Sequence, residues 1–210
     1  MRLTFVGTRA NISRRTRQRQ RHAALLVAEG GSRVLVDCGA DWLGGFEALR
    51  PEAIVLTHAH SDHACGLAAG ASCPVYATAE TWARLRALPI AHREVMPLRE
   101  PTVLGGVVFE AFPLEHSVLA PAVGYRITAG KRSVFYAPDV AAILDEAAAL
   151  RGVSLYIGDG ATVTRPMLRR RDAAMRRRAQ AKLQILDCAG SMRSCRIVRF
   201  SSAPLPRTGE

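Results

Sequence analysis

The stretch that most constrains this chain is Ile54-Val55-Leu56-Thr57-His58-Ala59-His60-Ser61-Asp62-His63. Its first three residues are continuously apolar, as expected of a strand covered on both faces. Directly after them come three imidazoles and a carboxylate within six residues. A strand ending here and feeding a helix from about Asp62 gathers all four groups at one chain reversal. His58 and His60, two apart in extended chain, project to the same side. Asp62 and His63 fall in the turn and can face a neighbouring position. Imidazoles and carboxylates together suit Zn²⁺, Mn²⁺ or Fe²⁺ better than Ca²⁺ or Mg²⁺.

Around this segment the pattern is that of a layered sheet protein. Short β-rich runs occupy 3–6, 23–28, 33–37 and 53–57, and Glu29-Gly30-Gly31-Ser32 has a hairpin-turn composition. Further strands are expected near 107–112, 123–127, 133–136 and 154–157. Helical patterns fall at about 42–49, 62–69, 79–88 and 140–150, with Thr78 and Asp139 as N-caps of the last two. Strands in blocks with interspersed helices place the helices outside the sheets. The first 165 residues read as one metal-binding domain and 166–210 as a separate, atypical segment. A helix over about 172–186 is compatible with that segment, and the rest of it reads as weakly structured.

Charge follows the same division. The net charge is +11, but residues 165–210 carry +9 of it and the first 164 residues only +2. The basic pI therefore describes the tail, with Arg169-Arg170-Arg171 and Arg176-Arg177-Arg178, and an early cluster at Arg14, Arg15, Arg17, Arg19 and Arg21. Such a tail fits non-specific nucleic-acid binding through phosphates, without the interleaved aromatics that base stacking needs. Five cysteines, odd in number and without C-x-x-C spacing, argue against a disulfide framework and against a thiolate zinc site. No apolar run approaches the ~18–20 residues of a membrane span, so no membrane partner is expected. The opening Met1-Arg2-Leu3-Thr4-Phe5-Val6-Gly7 is too short and too β-like for a signal peptide, which makes the cytoplasm the expected location.

His58-x-His60-x-Asp62-His63 after a hydrophobic strand resembles the signature of the metallo-β-lactamase superfamily. The resemblance runs through about residue 164. It matches Asp37, in Val34-Leu35-Val36-Asp37-Cys38-Gly39, to an aspartate that steadies the metal loop from behind. It matches His116, in Phe112-Pro113-Leu114-Glu115-His116-Ser117, to the histidine completing a three-imidazole set, and Asp139, in Phe135-Tyr136-Ala137-Pro138-Asp139, to a carboxylate bridging two metals. The opening Leu3-Thr4-Phe5-Val6-Gly7-Thr8 resembles the branch of ribonuclease Z and the cyclic-phosphate phosphodiesterases. The fold implied is α+β, a four-layer αβ/βα sandwich, incomplete at the C-terminus. The metals implied are zinc ions, with manganese or iron as substitutes: one on His58, His60 and His116 with Asp139 at the bridge, a second on Asp62, His63 and Asp139.

The family adds a late histidine that is lacking here, since the six histidines are 22, 58, 60, 63, 92 and 116. Either the C-terminal third has been replaced or a divergent branch dispenses with that ligand. The second position then has fewer donors and a lower expected affinity, so that one ion rather than two is an alternative, and activity is impaired if the second is essential. A sheet lacking its last elements would expose apolar surface and allow association into oligomers. The implied activity is hydrolysis of a phosphodiester, in RNA or a small molecule, by metal-activated water. Asp62 becomes free to act as general base if only the first metal binds. His22 and His92 read as packing or solvated histidines, Asp159 as a turn residue or a support for the site, and Cys65 as packing near the metal.

Overall fold

The computed structural model describes residues 1–12, 15–16 and 19–158. Expectations for residues 159–210, including Asp159, the helix at 172–186 and the boundary at 165, lie outside the described residues. The first sheet is built from β1 (Arg2–Gly7), β2 (Ala24–Glu29), β3 (Ser32–Val36), β4 (Ala53–Val55), β5 (Val75–Ala77) and β6 (Arg93–Val95), adjacent in chain order. β1–β2–β3 is an antiparallel meander, and β3, β4, β5 and β6 run parallel. The β2–β3 turn is the expected Gly30-Gly31 hairpin, both glycines at positive φ.

The second sheet holds β7 (Pro101–Leu104), β8 (Val107–Glu115), β9 (Ala122–Ala129), β10 (Arg132–Ala137), β11 (Ala142–Ile143) and β12 (Leu155–Gly158). β8, β9 and β10 form its antiparallel centre, and β12 adds in parallel to β10. β7 and β11 pair with different halves of β8.

Alternation along the strands assigns the layers. Val34, Val36 and Val55 point into a core shared with Phe109, Tyr125, Ile127 and Tyr136 of the second sheet. Leu35, Ile54 and Val75 point the other way, against Trp42, Phe46, Leu67 and Trp82. On the far face of the second sheet, Phe112, Leu114 and Phe135 pack with Ala149. Helical layers thus flank two facing sheets, the expected αβ/βα sandwich, and Val34–Val36 and Ala53–Val55 are buried on both faces as their unbroken apolar runs required. Among the described residues no helix is long and apolar enough to cross a membrane.

The helical expectations are corrected. The segment 42–49 is not one helix but two 3₁₀ turns, Ala40–Trp42 and Phe46–Leu49. They are separated by Gly44 at φ 70°, a left-handed conformation that ends a helix. The helix expected over 62–69 shrinks to α1 (Ser61–Ala64) and a 3₁₀ turn, Cys65–Leu67. Residues 140–150 are not continuous helix. Ala142–Ile143 becomes β11 against Glu115 and Leu114, and only α3 (Glu146–Ala149) is helical. Asp145, not Asp139, caps α3, accepting from Ala148 N–H at 3.2 Å. α2 (Ala79–Arg84) is capped by Thr78 as expected but ends at Arg84, four residues short of the expected 88.

Candidate metal centre

The candidate residues come from the C-terminal ends of four strands, two in each sheet. Asp37 follows β3, His58 and His60 follow β4, His116 follows β8, and Asp139 comes two residues after β10. Asp62 and His63 sit on α1, the helix entered straight from His60. Contacts between the sheets hold the two halves together at this edge. Tyr125 Oη donates to the Leu56 carbonyl at 2.8 Å, and Val123 N–H donates to the Thr57 carbonyl at 3.0 Å.

α1 is locked against the segment after β3 by close backbone approach. Cys38 N–H donates to the His63 carbonyl at 2.7 Å, and Gly66 N–H donates to the Cys38 carbonyl at 2.8 Å. Glycine is required at this crossing: a Cβ on Gly66 would stand 2.6 Å from Cys38 Sγ and from the Gly39 carbonyl oxygen.

The site residues expected from the sequence fall into two adjoining groups. Donor atoms of His58, His60, His116 and Asp139 all lie within 4.8 Å of one another, and so do those of Asp62, His63 and Asp139. His60 Nδ1 is 3.0 Å from His58 Nε2 and 3.1 Å from His116 Nε2. One oxygen of Asp139 faces both groups, 3.5 Å from His58 Nε2, 3.6 Å from His116 Nε2 and 3.3 Å from His63 Nε2. Asp62 Oδ2 is 3.6 Å from His63 Nε2. His58, Asp62 and His63 are buried, whereas His60, His116 and Asp139 are partly exposed and form the open side. Cys65 is half-buried and belongs to neither group.

Behind the donors stands a network that the sequence reading recognised only in part. Asp37, wholly buried at φ 63°, accepts from Thr57 N–H at 2.8 Å and from Thr57 Oγ1 at 2.9 and 3.0 Å. It also accepts from His63 Nδ1 at 2.8 Å. Thr57 is the residue that was missed; its one sequence signal is a hydroxyl ending a run of apolar side chains. With its proton given to Asp37, Thr57 Oγ1 accepts from His58 Nδ1 at 3.0 Å. That arrangement leaves the inward Nε2 of His58 bare, and the bond to Asp37 fixes the orientation of His63.

Electrostatics divide the histidines of the centre. Burial, with the charge of His63 beside it, lowers the pKa of His58. Burial and the neighbouring His58 lower His116 to about 4. His63 goes the other way: burial opposes its charge, but Asp37 and Asp139 raise it to about 10. Burial likewise opposes the charge of Asp139, yet the neighbouring His58 and His63 hold it far below the usual carboxylate range.

The donor set suits a zinc-type ion. Nitrogens bound tetrahedrally at ~2.0–2.1 Å from one centre stand about 3.3 Å apart. The ring nitrogens of His58 and His116 stand at nearly that distance from the ring nitrogen of His60, with a carboxylate oxygen beside them.

His22 and His92 take no part in these groups. His22 Nδ1 accepts from Asp41 N–H at 3.2 Å, within a cluster where Asp41 also pairs with Arg9 and Arg15. His92 is exposed. Both behave as the packing and solvated histidines expected.

Comparison with known proteins agrees with the geometry. A stretch of 72 residues is 42% identical to "Ribonuclease Z" of Bradyrhizobium diazoefficiens, covering 31% of this chain and 22% of that protein. The match therefore spans only about a fifth of the relative's length. Among solved structures, Zn²⁺-bound PqqB from Methylobacterium extorquens superposes with a TM-score of 0.62 at 19% identity, over 75% of this chain and 72% of that one. A diphosphatase of the PhnP family superposes with a TM-score of 0.57 at 26% identity, over 73% and 71%. The family model described as the beta-lactamase superfamily domain matches residues 32–193. The chain belongs to the metallo-β-lactamase superfamily.

Proposed function

We propose that this protein is a metal-dependent hydrolase of phosphodiesters. In this reading one ion is held by His58, His60, His116 and Asp139 and a second by Asp62, His63 and Asp139, zinc being the first choice and manganese or iron the alternatives. The observation that carries it is the convergence of these donors, from strand ends in both sheets, to within 4.8 Å in each group. Two relatives, a ribonuclease and a diphosphatase, favour phosphorus over a β-lactam or thioester carbonyl, and the first favours RNA among phosphodiesters.

Bound there, the ions would supply a Lewis acid and lower the pKa of water from about 16 towards about 7. The chain's own residues do the rest. Asp37 and Thr57 hold the rings of His63 and His58 with their lone pairs inward. His60, His116 and Asp139 line the open side by which a substrate enters. Where only the first ion binds, Asp62 is free to take the water proton as the water oxygen adds to phosphorus and one ester P–O bond breaks, and that proton finally reaches the departing alkoxide. The basic segment 165–210, at +9, would add sequence-independent phosphate contacts to an RNA substrate.

The test is elemental analysis of the purified protein together with hydrolysis of bis(p-nitrophenyl) phosphate in added Zn²⁺ or Mn²⁺. Metal-dependent turnover is expected, with a loss of more than about 100-fold in both His60→Ala and His116→Ala. Indifference of the rate to both substitutions would sink the assignment. Retention on RNA that falls with salt and survives His58→Ala, but vanishes on deleting 166–210, would separate tail binding from catalysis.

A further inference from the structure

The loop after His116 is tied to the metal centre at both ends. It departs from His116, whose ring faces His60, and returns at Val123, whose N–H donates to the Thr57 carbonyl one residue before His58. Between these anchors Ser117 Oγ accepts from Leu119 N–H at 3.2 Å, which turns the chain back within three residues. The loop is therefore part of the rim of the centre.

At its apex Val118 is 74% exposed and Leu119 67% exposed, whereas Ala120 and Ala122 beyond them are buried. Two branched aliphatic side chains are thus held out to water at the rim of a cleft otherwise lined by imidazole and carboxylate. The chain segments on this side offer nothing to a second anionic group: 57–65, 112–122 and 137–145 contain no Lys or Arg. Of the described cations of the early loop, Arg9 and Arg15 pair with Asp41 and Arg21 lies over the Trp42 ring at 4.4 Å. A substrate whose phosphorus sits between His116 and His60 must carry its organic substituent out over some part of the rim. Among the described residues this part is apolar and carries no Lys or Arg.

We propose that Val118 and Leu119 form an apolar subsite that receives an aromatic group of the substrate carried beyond the reacting phosphoryl group, in RNA the face of a nucleobase. The inference rests on the phosphodiesterase reading above and adds the chemical class of the group that meets the rim. Contact with two aliphatic side chains removes ring surface from water and favours an aromatic over a methyl substituent about tenfold. Both side chains are exposed and neither is a metal donor, so polar replacement leaves the fold and the centre intact.

The experiment compares phenylphosphonate with methylphosphonate, two ligands with one headgroup and different substituents, binding to the zinc-loaded full chain by calorimetry. Wild type should bind the phenyl compound about tenfold more tightly, and Val118→Ser/Leu119→Ser should lose that preference with zinc content unchanged. Val118→Leu/Leu119→Ile should keep it. For bis(p-nitrophenyl) phosphate, KM should rise about tenfold in the serine variant with kcat nearly constant. Equal affinity for the two phosphonates in an active, zinc-loaded wild type overturns the subsite alone, as does a preference that survives the serine variant. A wild type without bound metal or turnover overturns the phosphodiesterase reading and the subsite with it.

Discussion

Asp37 shows how much of this centre depends on a side chain that stands behind it. Its two oxygens take donors from Thr57 and His63, in a wholly buried place and a left-handed backbone conformation that Asp tolerates better than most residues. Asp37→Asn keeps the shape but puts an amide donor among groups that are already donors. We expect metal affinity to fall about 10- to 100-fold, measured by competition with a chelator of known affinity. A second residue-scale prediction concerns Asp41. Burial opposes its charge, but hydrogen bonds from Arg9 and from the His22 backbone hold its pKa below the ordinary value. A carboxylate with a depressed folded pKa stabilises fully above its unfolded value, about 3.9, and loses that contribution as pH falls through the folded one. The difference in melting temperature between wild type and Asp41→Asn should therefore be widest near neutral pH and close below about pH 4. Legibility at this scale was uneven. His58, His60, Asp62 and His63 announce themselves by adjacency, and the other site residues needed the family resemblance. Asp139 carried two incompatible expectations, helix cap and metal bridge; it lies beside His58 and His63, and Asp145 does the capping.

Among the elements, the long strands were legible because alternation or unbroken burial extends over five or more residues, as in β8 and β9. β5 and β6, three residues each, were missed because so short a run has no period to read. The helices were overestimated for a related reason. Apolar spacing around Trp42 and Phe46 is helical, but the backbone at Gly44 interrupts it. What positions α1 is packing rather than propensity, as four residues cannot hold a helix alone. Gly66→Ala tests this directly. Its Cβ meets two backbone oxygens and a sulfur within 2.7 Å, so the turn after α1 must lift from Cys38 and Gly39. A cost of about 1–3 kcal/mol is expected, seen as a melting temperature lower by several degrees, with weaker metal retention from the displaced Asp62 and His63.

For the molecule as a whole, the two sheets meet across an apolar core and are joined by polar bonds beside the centre. Tyr125→Phe removes one of these, the bond to the Leu56 carbonyl, and should cost about 1 kcal/mol in denaturant unfolding. Ions bound to donors from both sheets should raise the melting temperature by mass action, and a chelator should abolish the increment. The larger architecture could be read from strand blocks and the histidine motif; the order β1 to β6 and the placement of β11 against β8 could not, because pairing partners are set by long-range contact. His58 and His60 follow a strand of one sheet, and His116 and Asp139 follow strands of the other. The centre works as a vernier between two rulers, assembled only while both scales stay aligned. A one-residue slip of a strand moves its groups by roughly 3.3 Å, more than a coordination bond. Catalysis should therefore fade under mild denaturant or pressure while the circular dichroism of both sheets is still that of the native protein.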